Sequence, residues 1–221
     1  MFKIGLVDDH ELFRKSLIFV LEQLDSIEVV FDTNDGTLLL QYLQNNTVDL
    51  VLLDIQMPVM DGFTLCKKIK QLNSKIKILT VSQLTTKESI HQIFESGANG
   101  FFSKNSSTDS FIEAVLSMIE KDYYFDISLS DVVKEAMIWK EKNVVDRNLT
   151  LNKDSLSPRE KEIIFWSAKG LTCQQIADEL FISKRTVEAH RKTIMEKTSC
   201  LNIIEVVVFG LKERIITLED L

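Results

Sequence analysis

The sequence predicts an α/β domain on a five-stranded parallel sheet, followed by a smaller all-α domain of four helices. Three observations carry this. Over residues 1–122, strand-like apolar runs alternate with helix-period segments. From residue 156 the pattern is helical throughout and strongly capped. The charge also divides: residues 151–221 hold 11 Lys+Arg against 11 Asp+Glu, so the whole net charge of −7 lies in residues 1–150. Such asymmetry suggests two domains with different jobs.

The strand-like runs are FKIGLV (2–7), IEVVF (27–31), DLVLLD (49–54), KIKILTVS (75–82) and NGFFSK (99–104). Between them, and after the last, segments 11–24, 36–44, 62–72, 86–97 and 106–121 place apolar residues at three- and four-residue intervals. Strands alternating with helices argue a parallel sheet covered on both faces. The flavodoxin-like order 2-1-3-4-5 would make strands one and three neighbours. Residues 123–155 lose the rhythm. A weak helix signal, LSDVVKEAMIWKEK (129–142), precedes polar, Asn-rich NVVDRNLTLNKDS (143–155), which reads as a linker.

In residues 156–221, Ser157 caps a first helix, with Pro158 at its first position and Glu160 closing a capping box; Gly170 ends it. Thr172 caps a second helix, with Gln175 three residues on, and Ser183 caps a third, SKRTVEAHRKTIMEK. A fourth, NIIEVVVFGLKER (202–214), offers an apolar face of Ile203, Val207 and Leu211, suited to a dimer seam.

The 45% hydrophobic content fits a globular protein. No apolar run approaches the roughly 18 residues of a membrane span, so no membrane partner is expected. MFKIGLVDDHE meets two acids after seven residues, too early for a signal peptide. Cys66, Cys173 and Cys200 are odd in number, scattered and without CxxC spacing, which disfavours a disulfide framework and fits a reducing cytoplasm.

In an open parallel sheet, ligands bind beyond the carboxyl ends of the strands, where strand order reverses. Asp8 and Asp9 follow the first strand, Asp54 ends the third, Ser82 the fourth, and Lys104 follows the fifth. Three carboxylates would crowd one edge, and two charges about 4 Å apart repel by roughly 4 kcal/mol at an effective dielectric of 20. A hard divalent cation with oxygen ligands relieves that cost, and Mg²⁺, which keeps several waters, suits a shallow site.

The pair DD (8–9), D-x-x-M-P-x-M-D-G (54–62), Ser82 and Lys104 resemble the receiver domain of two-component response regulators over all of residues 1–122. The resemblance implies that Asp54 accepts a phosphoryl group from a sensor histidine kinase. It implies Mg²⁺ held by Asp8, Asp9, Asp54 and the main-chain carbonyl of Gln56, with Ser82 and Lys104 contacting the phosphoryl group. Such transfer is mostly positioning and charge neutralisation around a carboxylate nucleophile. Thr80 shares a strand face with Ser82; Ser82, 28 residues after Asp54 and 22 before Lys104, fits the resemblance better. Phe101 matches the family's switching aromatic, and plain core packing reads it equally well. Two positions depart from the pattern. Val59 stands where many members have Gly, and Asn105 where many have Pro.

The tail LSPREKEIIFWSAKGLTCQQIADELFISKRTVEAHRKTIMEK resembles the LuxR-type helix-turn-helix of the NarL/FixJ regulators. Its third helix carries Lys184, Arg185, Arg191, Lys192 and Lys197 against Glu188 and Glu196. A helix fits the major groove of double-stranded DNA while basic side chains neutralise phosphate. By resemblance, Glu188, Ala189 and Lys192 face base edges, and Lys184, Thr186 and Arg191 the backbone. His190 reads as seam packing. The implied whole is a phosphorylation-controlled transcription factor that forms a homodimer on phosphorylation, with no enzyme activity beyond self-catalysed phosphoryl acceptance and slow loss. An aspartyl phosphatase would need a second Asp two residues after the nucleophile, where Gln56 stands. A small-molecule sensor would not need the intact Asp9–Asp54–Lys104 set.

Overall fold

The computed structural model describes residues 1–83, 86–121, 123–125 and 156–217. The chain divides into two compact units, Met1–Lys134 and Glu135–Leu221. The weak helix signal at 129–142 lies outside the described residues.

The first unit runs β1 (Phe2–Val7), α1 (Glu11–Leu21), β2 (Ile27–Thr33), α2 (Gly36–Leu43), β3 (Leu50–Asp54), α3 (Gly62–Leu72), β4 (Lys77–Ser82), α4 (Lys87–Glu95), β5 (Gly100–Ser103), α5 (Thr108–Glu120) and β6 (Tyr124–Phe125). The expected parallel order 2-1-3-4-5 is observed, and β6 extends it beyond β5. That two-residue strand falls in the 123–155 stretch where the alternation of strands and helices is lost. It comes so close to β5 that a Cβ on Gly100 would lie 2.6 Å from the Tyr124 carbonyl oxygen.

β3 is buried along its whole length, as a strand covered on both faces requires. Ile4, Leu6, Leu50, Leu52, Leu79 and Val81 pack with Leu17 and Leu21 of α1 and with Phe111, Val115 and Met118 of α5. Alternate residues Val51, Leu53, Ile78 and Phe101 are also wholly buried, on the other face. Hydrogen-bonding side chains cap α2, α3, α4 and α5: Asp35, Asp61, Thr86 and Ser107. With strands and helices fixed this way, all the chemistry-bearing strand ends face one edge.

The second unit contains α6 (Pro158–Ala168), α7 (Cys173–Glu179), α8 (Lys184–Thr198) and α9 (Ile203–Lys212). Both capping boxes form, on Ser157 with Glu160 and on Thr172 with Gln175, and Ser183 accepts from the Thr186 N–H. Gly170 takes φ 80° at the end of α6, a left-handed conformation that suits glycine. Ile163, Ile164, Ile176, Val187, Ile194 and Val206 are wholly buried. Ile203 and Val207, expected at a dimer seam, are buried in this unit as well. The close fit of α9 to α6 explains it: a Cβ on Gly210 would lie 2.8 Å from Ile164 Cγ2.

Candidate functional site

The carboxyl ends of β1, β3, β4 and β5 bring Asp8, Asp9, Asp54, Ser82 and Lys104 to one edge of the sheet. Asp54 pairs with Val81 across β3 and β4, which sets Ser82 one residue beyond it. Asp8, Asp54 and Ser82 are all buried. Lys104 Nζ lies 2.7 Å from Asp54 Oδ2 and 2.8 Å from Asp8 Oδ2. The Lys104 N–H also donates to the Ser82 carbonyl at 3.0 Å, tying β5's exit to β4's. Phe13 of α1 places its ring 4.8 Å from the same ammonium, a favourable cation–π distance.

Asp54 is held on both oxygens, since the Gln56 N–H donates to Oδ1 at 3.0 Å. The DG turn that follows is sterically necessary. A Cβ on Gly62 would lie 2.4 Å from the Asp54 carbonyl oxygen and 2.6 Å from Ile55 Cα. Glycine therefore lets α3 start directly against the strand that ends in Asp54. Val59 in the intervening loop is 78% exposed.

The buried Arg14 supports the acidic loop, paired with the half-buried Asp32. The Arg14 guanidinium donates to the Asp8 carbonyl at 2.6 Å and to Asp32 Oδ2 at 3.0 Å. Burial pushes the Asp32 carboxyl up, but Arg14 and Lys15 outweigh it and hold it below the ordinary value.

Electrostatically the edge carries an excess of negative charge. Burial pushes the Asp54 carboxyl above its ordinary value, and its bonds to Lys104 and the Gln56 N–H only partly offset this. Burial would push the Lys104 ammonium down, but its bonds to Asp54 and Asp8 outweigh that and hold it up. The ammonium thus contacts two carboxylates, Asp8 and Asp54, with Asp9 beside them. Asp9 Oδ1 is buried and accepts no hydrogen bond. A buried carboxylate oxygen beside two further carboxylates fits a hard divalent cation.

Two residues were not anticipated here. His10 places Nδ1 2.8 Å from Asp9 Oδ1, 3.4 Å from Asp8 Oδ1 and 3.8 Å from Asp54 Oδ2. Arg14 was equally unmarked in the sequence. The Thr80 hydroxyl donates to the Gly100 carbonyl at 2.9 Å. Phe101 is wholly buried, in register with Thr80.

In the second unit, Lys184, Thr186, Glu188, Ala189 and Lys192 lie exposed on α8. Lys184 and Glu188 approach to 3.9 Å, and Lys192 and Glu196 to 3.7 Å, exposed pairs that contribute little to stability. Arg191, expected at the DNA backbone, is buried instead. It follows Val187 by four residues and precedes Ile194 by three, so it sits on the helix's inner ridge. Its guanidinium donates to Ser167 Oγ at 3.1 Å and the Leu171 carbonyl at 3.3 Å. Lys197 reaches across to both oxygens of Glu160, at 2.8 Å each. His190 is half-buried.

The family description "Response regulator receiver domain" matches residues 4–116, and "Bacterial regulatory proteins, luxR family" matches residues 154–209. The chain is 32% identical to the oxygen regulatory protein NreC of Staphylococcus epidermidis over 216 residues, covering 97% of this chain and 99% of that one. It is 30% identical to the Fimbriae Z protein of Escherichia coli over 205 residues, covering 93% and 94%. Its fold resembles Salmonella typhimurium RcsB, 23% identical with a TM-score of 0.57, covering 94% and 97%. It also resembles RcsB bound to promoter rprA, 22% identical with a TM-score of 0.54, covering 93% and 96%.

Proposed function

Since the chain belongs to the bacterial response regulators, a receiver domain joined to a LuxR-family DNA-binding domain, we propose that Asp54 is the phosphoacceptor through which its DNA binding is switched. The observation that carries this is the convergence of Asp8, Asp54 and Lys104 within 2.8 Å contacts at the sheet edge. A carboxylate oxygen of Asp54 bonds to phosphorus as the bond from phosphorus to the histidine nitrogen of a sensor kinase breaks. Lys104, already charged and in place, then balances the added phosphoryl charge, and Ser82 offers its hydroxyl as a donor to a phosphoryl oxygen.

The residues to hold Mg²⁺ are Asp8, Asp9, Asp54 and the main-chain carbonyl of Gln56. Bound there, the cation supplies positive charge that lets a dianionic phosphoryl group approach three carboxylates. Arg14 holds the Asp8 main chain, and Gly62 gives α3 room against Asp54. In this reading residues 1–122 form the receiver, its sheet completed by Tyr124–Phe125, residues 123–155 join it to the rest, and 156–221 bind DNA. The protein works in the cytoplasm, where kinase and DNA are both within reach.

On DNA, α8 enters the major groove with Glu188, Ala189 and Lys192 toward base edges and Lys184 and Thr186 toward phosphate. Arg191 has no part in this. One such module offers a small interface, whereas two linked modules on half-sites about 34 Å apart bind far more tightly. Phosphorylation therefore acts by pairing two chains, through the β4–β5 edge above Phe101 and the adjoining α4 and α5. Sedimentation before and after acetyl phosphate treatment, with binding to one- and two-half-site duplexes, tests the coupling. The dimer fraction and the two-site affinity should rise together while the single-site affinity changes little. Equal dimerisation and equal affinity in both states would contradict it.

A further inference from the structure

His10 has no part in phosphoryl transfer as described above, although its imidazole lies inside the acidic site. Its backbone is fixed, because the His10 N–H donates to Asp8 Oδ1 at 2.8 Å. It is the N-cap residue of α1, yet its side chain makes no capping bond. The ring turns toward the three carboxylates instead. One ligand atom each from Asp8, Asp9, His10 and Asp54 lies within 4.8 Å of all the others.

These separations have a chemical meaning. An octahedral cation with ligands at about 2.1 Å separates neighbouring donors by roughly 3.0 Å and opposite donors by roughly 4.2 Å. The His10 Nδ1 distances of 2.8, 3.4 and 3.8 Å to the three carboxylates fall across that range. The contact at 2.8 Å involves Asp9 Oδ1, the buried oxygen that accepts no hydrogen bond. A neutral imidazole nitrogen and a carboxylate oxygen at that spacing form a ready chelate.

We propose that His10 is a direct nitrogen donor to the divalent cation of this site, through Nδ1 of the neutral ring. The proposal rests on the reading of the acidic edge as a metal site. An all-oxygen set suits Mg²⁺, which prefers oxygen and gives up its water reluctantly. A nitrogen donor raises affinity for borderline transition cations much more, because affinity for N/O sites follows the Irving–Williams order. The site is thereby tuned away from strict Mg²⁺ specificity, and the tuning residue is one exposed side chain. Its side chain is 64% exposed, so replacing it leaves the core intact.

The test uses the full chain without a histidine tag. Co²⁺ and Mg²⁺ are titrated by calorimetry into wild type, His10→Ala and His10→Gln, and Mn²⁺-loaded protein is studied by electron spin-echo spectroscopy. Loss of a direct donor should cost at least the roughly 10–100-fold seen when an outer partner of a ligand is removed. Co²⁺ affinity should therefore fall by at least about tenfold in both variants, with a much smaller change for Mg²⁺. The Mn²⁺ echo should carry nitrogen modulation in the wild type and lose it in His10→Ala. Cation binding that Asp9→Ala weakens but His10→Ala does not, with no nitrogen modulation, would overturn this assignment and leave the metal site standing. Cation binding indifferent to Asp9→Ala and Asp54→Asn would overturn both.

Discussion

Lys104 Nζ and Asp54 Oδ2 lie 2.7 Å apart at the buried edge of the sheet, and the lysine does not fully compensate the carboxylate it touches. Burial and the neighbouring Asp8 leave the Asp54 carboxyl above its ordinary value. The acceptor is thus held at a cost to folding, which the charge chemistry of the site can relieve.

That cost predicts an inverted pH response. Asp54's raised value means that its charged form penalises folding above the folded value, and that the penalty lifts as the pH falls below it. Asp54→Asn abolishes the penalty. In chelator at pH 8 the variant should melt above the wild type, with each kcal/mol of relief reading as roughly 2–4 °C. The gap should narrow on acidification, and Mg²⁺ should stabilise the wild type selectively, since a ligand that binds the native state raises its stability. Thermal scans over pH and Mg²⁺ concentration check this.

Glu160 predicts the opposite slope. Burial pushes its carboxyl up, but Lys197 and the Ser157 N–H outweigh this and hold it below the ordinary value. Its stabilisation is present above the unfolded value and is lost as the pH falls through the folded one. Lys197→Met, which keeps the apolar stem, should destabilise the helical unit by about 1–3 kcal/mol near neutrality. The deficit should shrink in acid. Hydrogen exchange of α8 amides measures it.

The buried guanidinium of Arg191 separates folding from recognition. Arg191→Ala should destabilise the helical unit by about 1–3 kcal/mol through the lost bonds to Ser167 and Leu171. Lys192→Ala should instead lose roughly 1–3 kcal/mol of discrimination between cognate and scrambled duplexes if its contact is bidentate to guanine. Lys184→Ala should weaken binding to all sequences alike and reduce the salt slope by about 1. Binding curves at several salt concentrations, read beside unfolding curves, assign each residue.

Gly62→Ala forces a methyl onto the backbone of Asp54 and Ile55, which cannot yield as a flexible side chain would. Overpacking of this kind costs about 1–3 kcal/mol. Acceptor function should fall with it, visible as slower phosphoryl incorporation at a temperature where the variant is still folded.

The sequence made the strand ends legible because apolar runs buried on both faces stop abruptly at Asp8, Asp54, Ser82 and Lys104. Capping boxes on Ser157 and Thr172 were equally readable, being local hydrogen-bond chemistry. β6 was not, since a two-residue strand carries no period and depends on the space Gly100 leaves. Arg191 shares the inner ridge of α8 with Val187, Ile194 and Thr198, but the resemblance to a DNA-binding helix alone set the expectation, at the surface. The pairing of Lys197 with Glu160 was not legible, because the two lie 37 residues apart in the chain. His10 escaped notice because a lone histidine acquires meaning only when Asp54 is brought beside it.

The most direct measurement is intact mass after incubation with acetyl phosphate and Mg²⁺. The wild type should gain one phosphoryl group, chelator should prevent the gain, and Asp54→Asn should show none, because an amide is not a competent nucleophile. An adduct of equal yield on Asp54→Asn would contradict the assignment of the acceptor.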